Sequence, residues 1–249
     1  MADAAPWNES MRHPDLPILR WARPLAAALA VSVLITGVSF VLPIALGLAW
    51  DDWQHRDRYW FDVGNEGNLP TWWNTALLVA SATLCAAVSI MHRFAGGGRW
   101  VTWAALALIA GLLSLDEASG LHERLRHLAD LVVPDHGFAF AWLVVGIPLA
   151  LAVLVVAALL ARRILHPARL LFLGGLLVLL AGAVGLETAN DLLVRAQGGE
   201  VPDGGTLLFH AVYHVEELLE FAGASLMLAA PLAALRDGSP GGRPCIVAR

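Results

Sequence analysis

The sequence predicts an all-α integral membrane protein, a six-helix transmembrane bundle with both termini in the cytoplasm. Three observations predict it. Hydrophobic residues make up 58% of the 249 and mean hydropathy is +0.65, where a soluble domain carries about 45–50% apolar residues. Six apolar stretches, near 25–50, 71–91, 100–116, 139–161, 169–187 and 206–235, approach the roughly 20 residues that a spanning helix needs. The arginines are unevenly divided: eleven fall on the side of the two termini and five (Arg56, Arg58, Arg124, Arg126 and Arg195) on the other, and positive charge stays inside.

The elements follow in order. Residues 1–24 read as a polar, proline-broken cytoplasmic arm with Trp7 and Trp21 as interfacial anchors, 25–235 as the membrane domain and 236–249 as a cytoplasmic tail. No apolar core precedes the first span, so that span is expected to be the targeting signal. Asp51 to Pro70 reads as an outer loop in which Asp62, Glu66 and Asn68 offer oxygen ligands of the kind calcium accepts, without the spacing of an EF-hand. The second span reads as scaffold, and Gly96 to Gly98 as a turn.

The third span runs into SLDEASGLHERLRH, residues 114–127. Asp116, Glu123 and His127 share one helical face if Gly120 does not break the helix. The fourth span has no ionisable residue. The fifth carries Gly174, Gly175, Gly182 and Gly185, small residues that let helices approach closely, and ends in Glu187, Asn190 and Asp191, which share a face. The sixth begins with His210, Tyr213, His214, Glu216, Glu217 and Glu220.

Helical rise sets depth. Asp116 stands about 24 Å above Trp100, Glu187 about 27 Å above Arg169, and Glu220 and Glu217 about 22 and 27 Å above Leu235. Asp116, Glu117, Glu187, Glu217 and Glu220 are therefore expected in one layer contributed by three helices. Such acids cannot all be charged and unpaired at low dielectric. Either some hold a proton or cations neutralise them, and the other expectation is structural pairing of Asp116 and Glu123 with Arg124, Arg126 or Arg195.

The spacing His-x3-His-x2-Glu puts His210, His214 and Glu217 on one face, three donors suited to zinc or non-haem iron. Glu123 and Glu187 extend that ligand set, and Glu117, Glu216, Glu220, Asp191 and Tyr213 would surround it and share protons. The alternative is a pair of histidines bonded to headgroups or loop carbonyls. Paired Glu-x-x-His motifs of di-iron bundles are absent. There is no Lys, no phosphate loop and no Cys-x-x-Cys motif. The acidity of the outer side argues against a nucleic-acid partner. Arginine-only basicity and Ala, Gly and Leu richness suggest a high-GC genome, and the bacterial inner membrane is the expected location, with membrane lipids as partners.

The runs FDVGNEGNLPTWWNT (61–75) and FHAVYH (209–214) resemble two elements of the alkaline ceramidase group, in the superfamily of membrane hydrolases that includes the adiponectin-type receptors. That resemblance implies Asp62, Glu66 and Asn68 as calcium-like ligands and His210 and His214 as zinc ligands, with His122 or His127 as the third and Asp116 or Ser114 near the metal-bound water. The chain departs from the pattern in having six spans instead of seven, no Ser-x-x-x-His, and extra glutamates. SLDE, HE, Glu187 and EELLE also resemble a group of uncharacterised six-span bacterial membrane proteins.

The first functional expectation is a metal-dependent hydrolase of a lipid amide or ester, in which a divalent metal, zinc before iron or calcium, activates water and Asp116 or Glu217 takes its proton. The second is a proton or divalent-cation transporter, and it requires a polar path to the cytoplasmic side that the apolar inner halves do not offer. A di-metal oxidoreductase and a non-catalytic scaffold are the further alternatives.

Overall fold

The structure is a computed structural model and describes residues 21–48, 55–133, 138–196, 207–237 and 244–246. Trp7, the acids Asp51, Asp52, Asp135, Glu200 and Asp203, and most of the terminal arm and tail fall outside the described residues. Six helices are long and apolar enough to cross a membrane. They are α1 (Ala22–Leu46), α3 (Leu69–Phe94), α4 (Trp100–Ser119), α7 (Leu143–Ala161), the run Ala168–Ala196, and α10 (Leu207–Ala234). Short helices α2 (Arg56–Tyr59), α5 (Leu121–Arg124) and α6 (Arg126–Val132) lie in the connections. Leu235–Asp237 pairs antiparallel with Pro244–Ile246.

The helices are apolar outward and small or polar inward, the inverse of a soluble bundle. Along α1 the buried residues are Ala28, Ser32, Thr36, Ser39 and Pro43, while Val33, Leu34, Val41 and Ile44 are exposed. With no hydrophobic driving force between helices in lipid, close packing and hydrogen bonds hold such faces together. Trp73 Nε1 donates to Ser32 Oγ at 3.0 Å and so ties α3 to α1.

One packed core joins Ala28, Val88, Trp103, Ile164, Ala168, Phe172, Met227 and Ala233. These positions come from the start of α1, the end of α3, the start of α4, just past the end of α7, the start of the run Ala168–Ala196 and the end of α10, so the spans alternate in direction. The end where they meet is the terminal face; Ser39, Phe140, Asp191 and Phe209 mark the opposite, loop face. The terminal half is filled: Leu106, Phe172, Leu176 and Met227 have no exposure.

The fifth span has three parts, α8 (Ala168–Leu180), a π-helical stretch (Ala181–Leu186) and α9 (Glu187–Ala196). Its crossing with α10 is backbone against backbone. A Cβ at Gly223 would lie 2.5 Å from Gly175 O and 2.5 Å from Leu179 N, and one at Gly175 2.6 Å from Gly223 O. Gly182 lies equally close to Glu216 O, whereas Gly174 and Gly185 meet nothing within 4 Å. Two of the four glycines thus make the approach their sequence suggests. Gly223→Val should lower the thermal midpoint of the purified protein, by an overpacking cost of about 1–3 kcal/mol, while Gly174→Ala should not; equal midpoints would remove the crossing as a determinant of stability.

Candidate functional site

A cavity of about 720 Å³ lies in the loop-face half, bounded by α3, α4, α7, the π-helical stretch with α9, and α10. Its polar wall carries Asp116 and Glu117 from α4, Glu187 from α9, and Glu216, Glu217 and Glu220 from α10, with Glu66, His122 and Glu123 from the connections. The layer expected from helical rise is therefore assembled around one space. Its apolar wall is Leu78, Ile109, Leu112, Leu149, Val153 and Leu179, with Leu112 and Leu149, 54% and 52% exposed, between α4 and α7. Below lies the filled terminal half; the cavity opens beside the exposed Glu66 and Glu123 and is thinly covered where Leu112 and Leu149 are exposed.

Gly120 ends α4 in the left-handed conformation, φ 55°, with its N–H donating to Asp116 O at 2.8 Å. The single-face alignment of Asp116, Glu123 and His127 therefore does not form. The chain turns there, His122 comes back over Asp116, and His127 stands exposed on α6 away from the cavity. Asp116 Oδ1 accepts from His122 N at 2.7 Å, and Oδ2 from His122 Nδ1 at 3.2 Å. With Nδ1 engaged, Nε2 is the nitrogen left for another partner, a tautomer and orientation device common around metal-binding imidazoles. The ring meets Trp142 edge-on, centroids 5.1 Å apart.

Glu66, His122 and Glu123 each offer a ligand atom, all within 4.8 Å of one another, and form the one such His/Cys/Asp/Glu trio among the described residues. Glu66 sits against Gly120, where a Cβ would lie 2.8 Å from its Oε2; a side chain at 120 would clash with that carboxylate. Burial and the neighbouring Glu123 raise the Glu66 pKa, partly offset by His122. For His122, burial alone pushes the pKa down, but the hydrogen bond and charge of Asp116, then Glu187 and Glu66, lift it to about 9.

The histidine pair of α10 is elsewhere. His214 Nδ1–H donates to His210 O at 2.7 Å, and its Nε2 meets Ser39 Oγ of α1 at 2.9 Å. Ser39 Oγ in turn accepts from Val63 N at 3.0 Å. Both ring nitrogens are thus engaged by protein groups. His210 Nδ1 donates to Tyr213 Oη at 3.0 Å, and Tyr213 donates to Asp62 Oδ1 at 3.1 Å. Neither histidine lines the cavity, whereas Glu217 does. His210, His214 and Glu217 do not assemble, because the imidazoles turn toward α1 and the 58–68 connection.

The expected calcium loop also divides. Asp62 is buried and paired with Arg58 Nε at 2.7 Å, and it accepts Gly64 N. Asn68 caps α3 through Thr71 N and donates to Tyr59 O and Asp62 O at 2.9 and 2.6 Å. Of the three, Glu66 alone reaches the cavity. Ser114 is buried off the cavity and donates to Thr75 O at 3.2 Å, which fastens α4 to α3. Asp191 pairs with Arg195 at 2.7 Å and accepts Phe140 N at 2.9 Å, a bracket closing the loop face. Arg195, expected near Asp116 or Glu123, belongs to that bracket.

Two lining residues carry no sequence pattern. Trp142 Nε1 donates to Glu187 Oε1 at 2.8 Å and fixes that carboxylate. Asn74 of α3 is 1% exposed and faces Glu117, with neither amide atom completing a hydrogen bond of standard length. An amide in an apolar span was the available signal, since the span otherwise reads as scaffold.

Fold and site define a helical bundle with six helices long and apolar enough to cross a membrane, a carboxylate-walled cavity and a His/Glu trio at its mouth. The chain belongs to the family described as a domain of unknown function, DUF8692, whose model matches residues 25–235. No curated protein matches it, and no solved structure does.

In metal-free buffer, NMR of the imidazoles should give His122 an apparent pKa near 9, and Asp116→Asn should bring it down toward about 6.5. An unshifted value in that variant would show that Asp116 does not govern the ring.

Proposed function

We propose that this protein is a metal-dependent hydrolase of an amphiphile, a lipid amide or ester, taken up in the loop-face cavity. The observation that carries the reading is the Glu66, His122 and Glu123 trio at the mouth of a cavity with one carboxylate wall and one leucine-rich wall. A head would lie against the acids and an acyl chain along Leu112, Leu149 and Val153.

The trio fits a divalent ion: an imidazole with two carboxylates is a zinc-type donor set, whereas calcium prefers oxygen alone. Such an ion supplies Lewis acidity and makes water a nucleophile near neutral pH. The protein's groups do the rest. Asp116 holds the His122 ring. Glu187, fixed by Trp142 and in electrostatic contact with His122, accepts a proton as water adds to the acyl carbon. It returns that proton to the departing nitrogen or oxygen, so water is divided between acid and alcohol or amine. The floor of Leu78, Ile109 and Leu179 keeps the chemistry at one end, and for that reason the transporter reading is not preferred.

Metal content tests the assignment. Protein purified in mild detergent without chelator should carry about one divalent ion per chain. His122→Ala should lose it, and His210→Ala and His214→Ala should keep it. Glu187→Gln should keep the metal and lose at least about a hundredfold in turnover of acyl esters or amides. Metal that follows His214 instead of His122 would overturn the ligand set, and full turnover in Glu187→Gln would overturn its role.

A further inference from the structure

The cavity gathers more carboxylates than one divalent ion can balance. Eight carboxylates line it, no arginine does among the described residues, and the chain has no lysine. Two loop-face arginines are used elsewhere, Arg58 on Asp62 and Arg195 on Asp191. His122 is the one basic lining residue, and it is held by Asp116. Glu216 has an amide contact with Asn190 at 3.5 Å as its nearest described hydrogen bond.

A separate observation points to an occupant. Asn74 and Asn190 line the cavity at 1% and 3% exposure, and Asn74 Oδ1 and Asn190 Oδ1 have no hydrogen-bond partner among the described residues. Buried amide oxygens left unsatisfied are costly and rare. Both are acceptors beside carboxylates, so the missing group is a donor. Trp142, Phe140 and Phe209 also line the cavity, and aromatic faces attract alkylammonium ions.

We propose that the amphiphile bound in this cavity carries a cationic nitrogen in its head, an ammonium or alkylammonium group, which the α9 and α10 glutamates neutralise while its chain lies on the α4 and α7 leucines. The proposal rests on the reading of the cavity as the substrate site and names the class of substrate. Anionic phospholipid heads are excluded by repulsion from the same wall, which gives selection by unfavourable charge as well as by attraction. N–H donors of an ammonium head would satisfy Asn74 and Asn190; a quaternary head would rely on charge and the aromatic faces.

The test is calorimetric titration of the protein in nanodiscs, with chelator present and empty nanodiscs as the baseline. The probes are octylammonium, octyltrimethylammonium, octyl glucoside and octyl sulfate. Saturable binding of an ammonium probe is expected, with octyl glucoside and octyl sulfate weaker by at least about tenfold. Glu216→Gln and Glu217→Gln, checked for an unchanged thermal midpoint, should each weaken the ammonium probe by a similar factor. Glucoside or sulfate binding as tightly as ammonium would overturn the proposal, as would ammonium probes that only partition like the baseline. Because metal is removed, such a failure concerns the charge of the head and leaves the metal chemistry to its own test.

Discussion

Carboxylates beside a hydrocarbon layer must be neutralised, and this bundle divides its acids by how that is done. Asp62 takes Arg58, Asp191 takes Arg195, and Asp116 takes His122, at 2.7, 2.7 and 3.2 Å. Each of these pairs holds a piece of the loop face in position: the 58–68 connection against α10, the start of α7 against α9, and the turn after α4 over its own end. Arg58–Asp62 is buried on both sides, and removing one partner of such a pair leaves a bare charge and costs about 3–5 kcal/mol; the other two pairs are partly exposed and fasten the chain locally. Glu117, Glu187, Glu216, Glu217 and Glu220, which have no arginine partner among the described residues, line the cavity together with Asp116 and the mouth residues Glu66 and Glu123. Asp62 and Asp191 stand outside the cavity, whereas Asp116 both holds its turn and lines the wall.

Two backbone irregularities make the cavity possible. Gly120 turns the chain in a left-handed conformation, which glycine adopts without the steric cost that a Cβ brings, and the turn lets Glu66 come against it. The π-helical stretch Ala181–Leu186 widens the fifth span just before Glu187; single wide turns of this kind recur at functional sites. Ala183 and Val184 from that stretch line the cavity, and Gly182 keeps it against α10. The wide turn therefore opens space on one side while the helix stays in contact on the other.

The spans and the depth of the acid layer were legible in the sequence because hydropathy and a fixed rise per residue are local properties. Asp116, Glu117, Glu187, Glu217 and Glu220 come together as that arithmetic expects. Rotation of a helix about its axis is not local. His210 and His214 do share a face, but which neighbour that face meets is decided by Ser39, 175 residues from His214, and by Asp62. The zinc-like spacing on α10 consequently faces α1 and the 58–68 connection instead of the cavity, and Asp62 and Asn68, chemically able to bind a cation, are consumed by Arg58 and by the start of α3. Gly120 left His122 and His127 undecided in sequence, and only its φ resolves them. The π-helical turn has no signature in AGAVGL, and Trp142 and Asn74 earn their positions through partners far along the chain.

The thin flank between α4 and α7, where Leu112 and Leu149 line the cavity and are themselves more than half exposed, bears on what concentration means for this site. A ligand arriving through that flank is counted as a mole fraction of one leaflet, not as molarity in water. Its half-saturation, expressed per litre, would rise in proportion to the amount of lipid in the sample and stay constant per lipid. On the proposed reading, bilayer thickness and chain order at the level of Leu112 and Leu149 would then tune occupancy, and the surrounding membrane would act as part of the specificity.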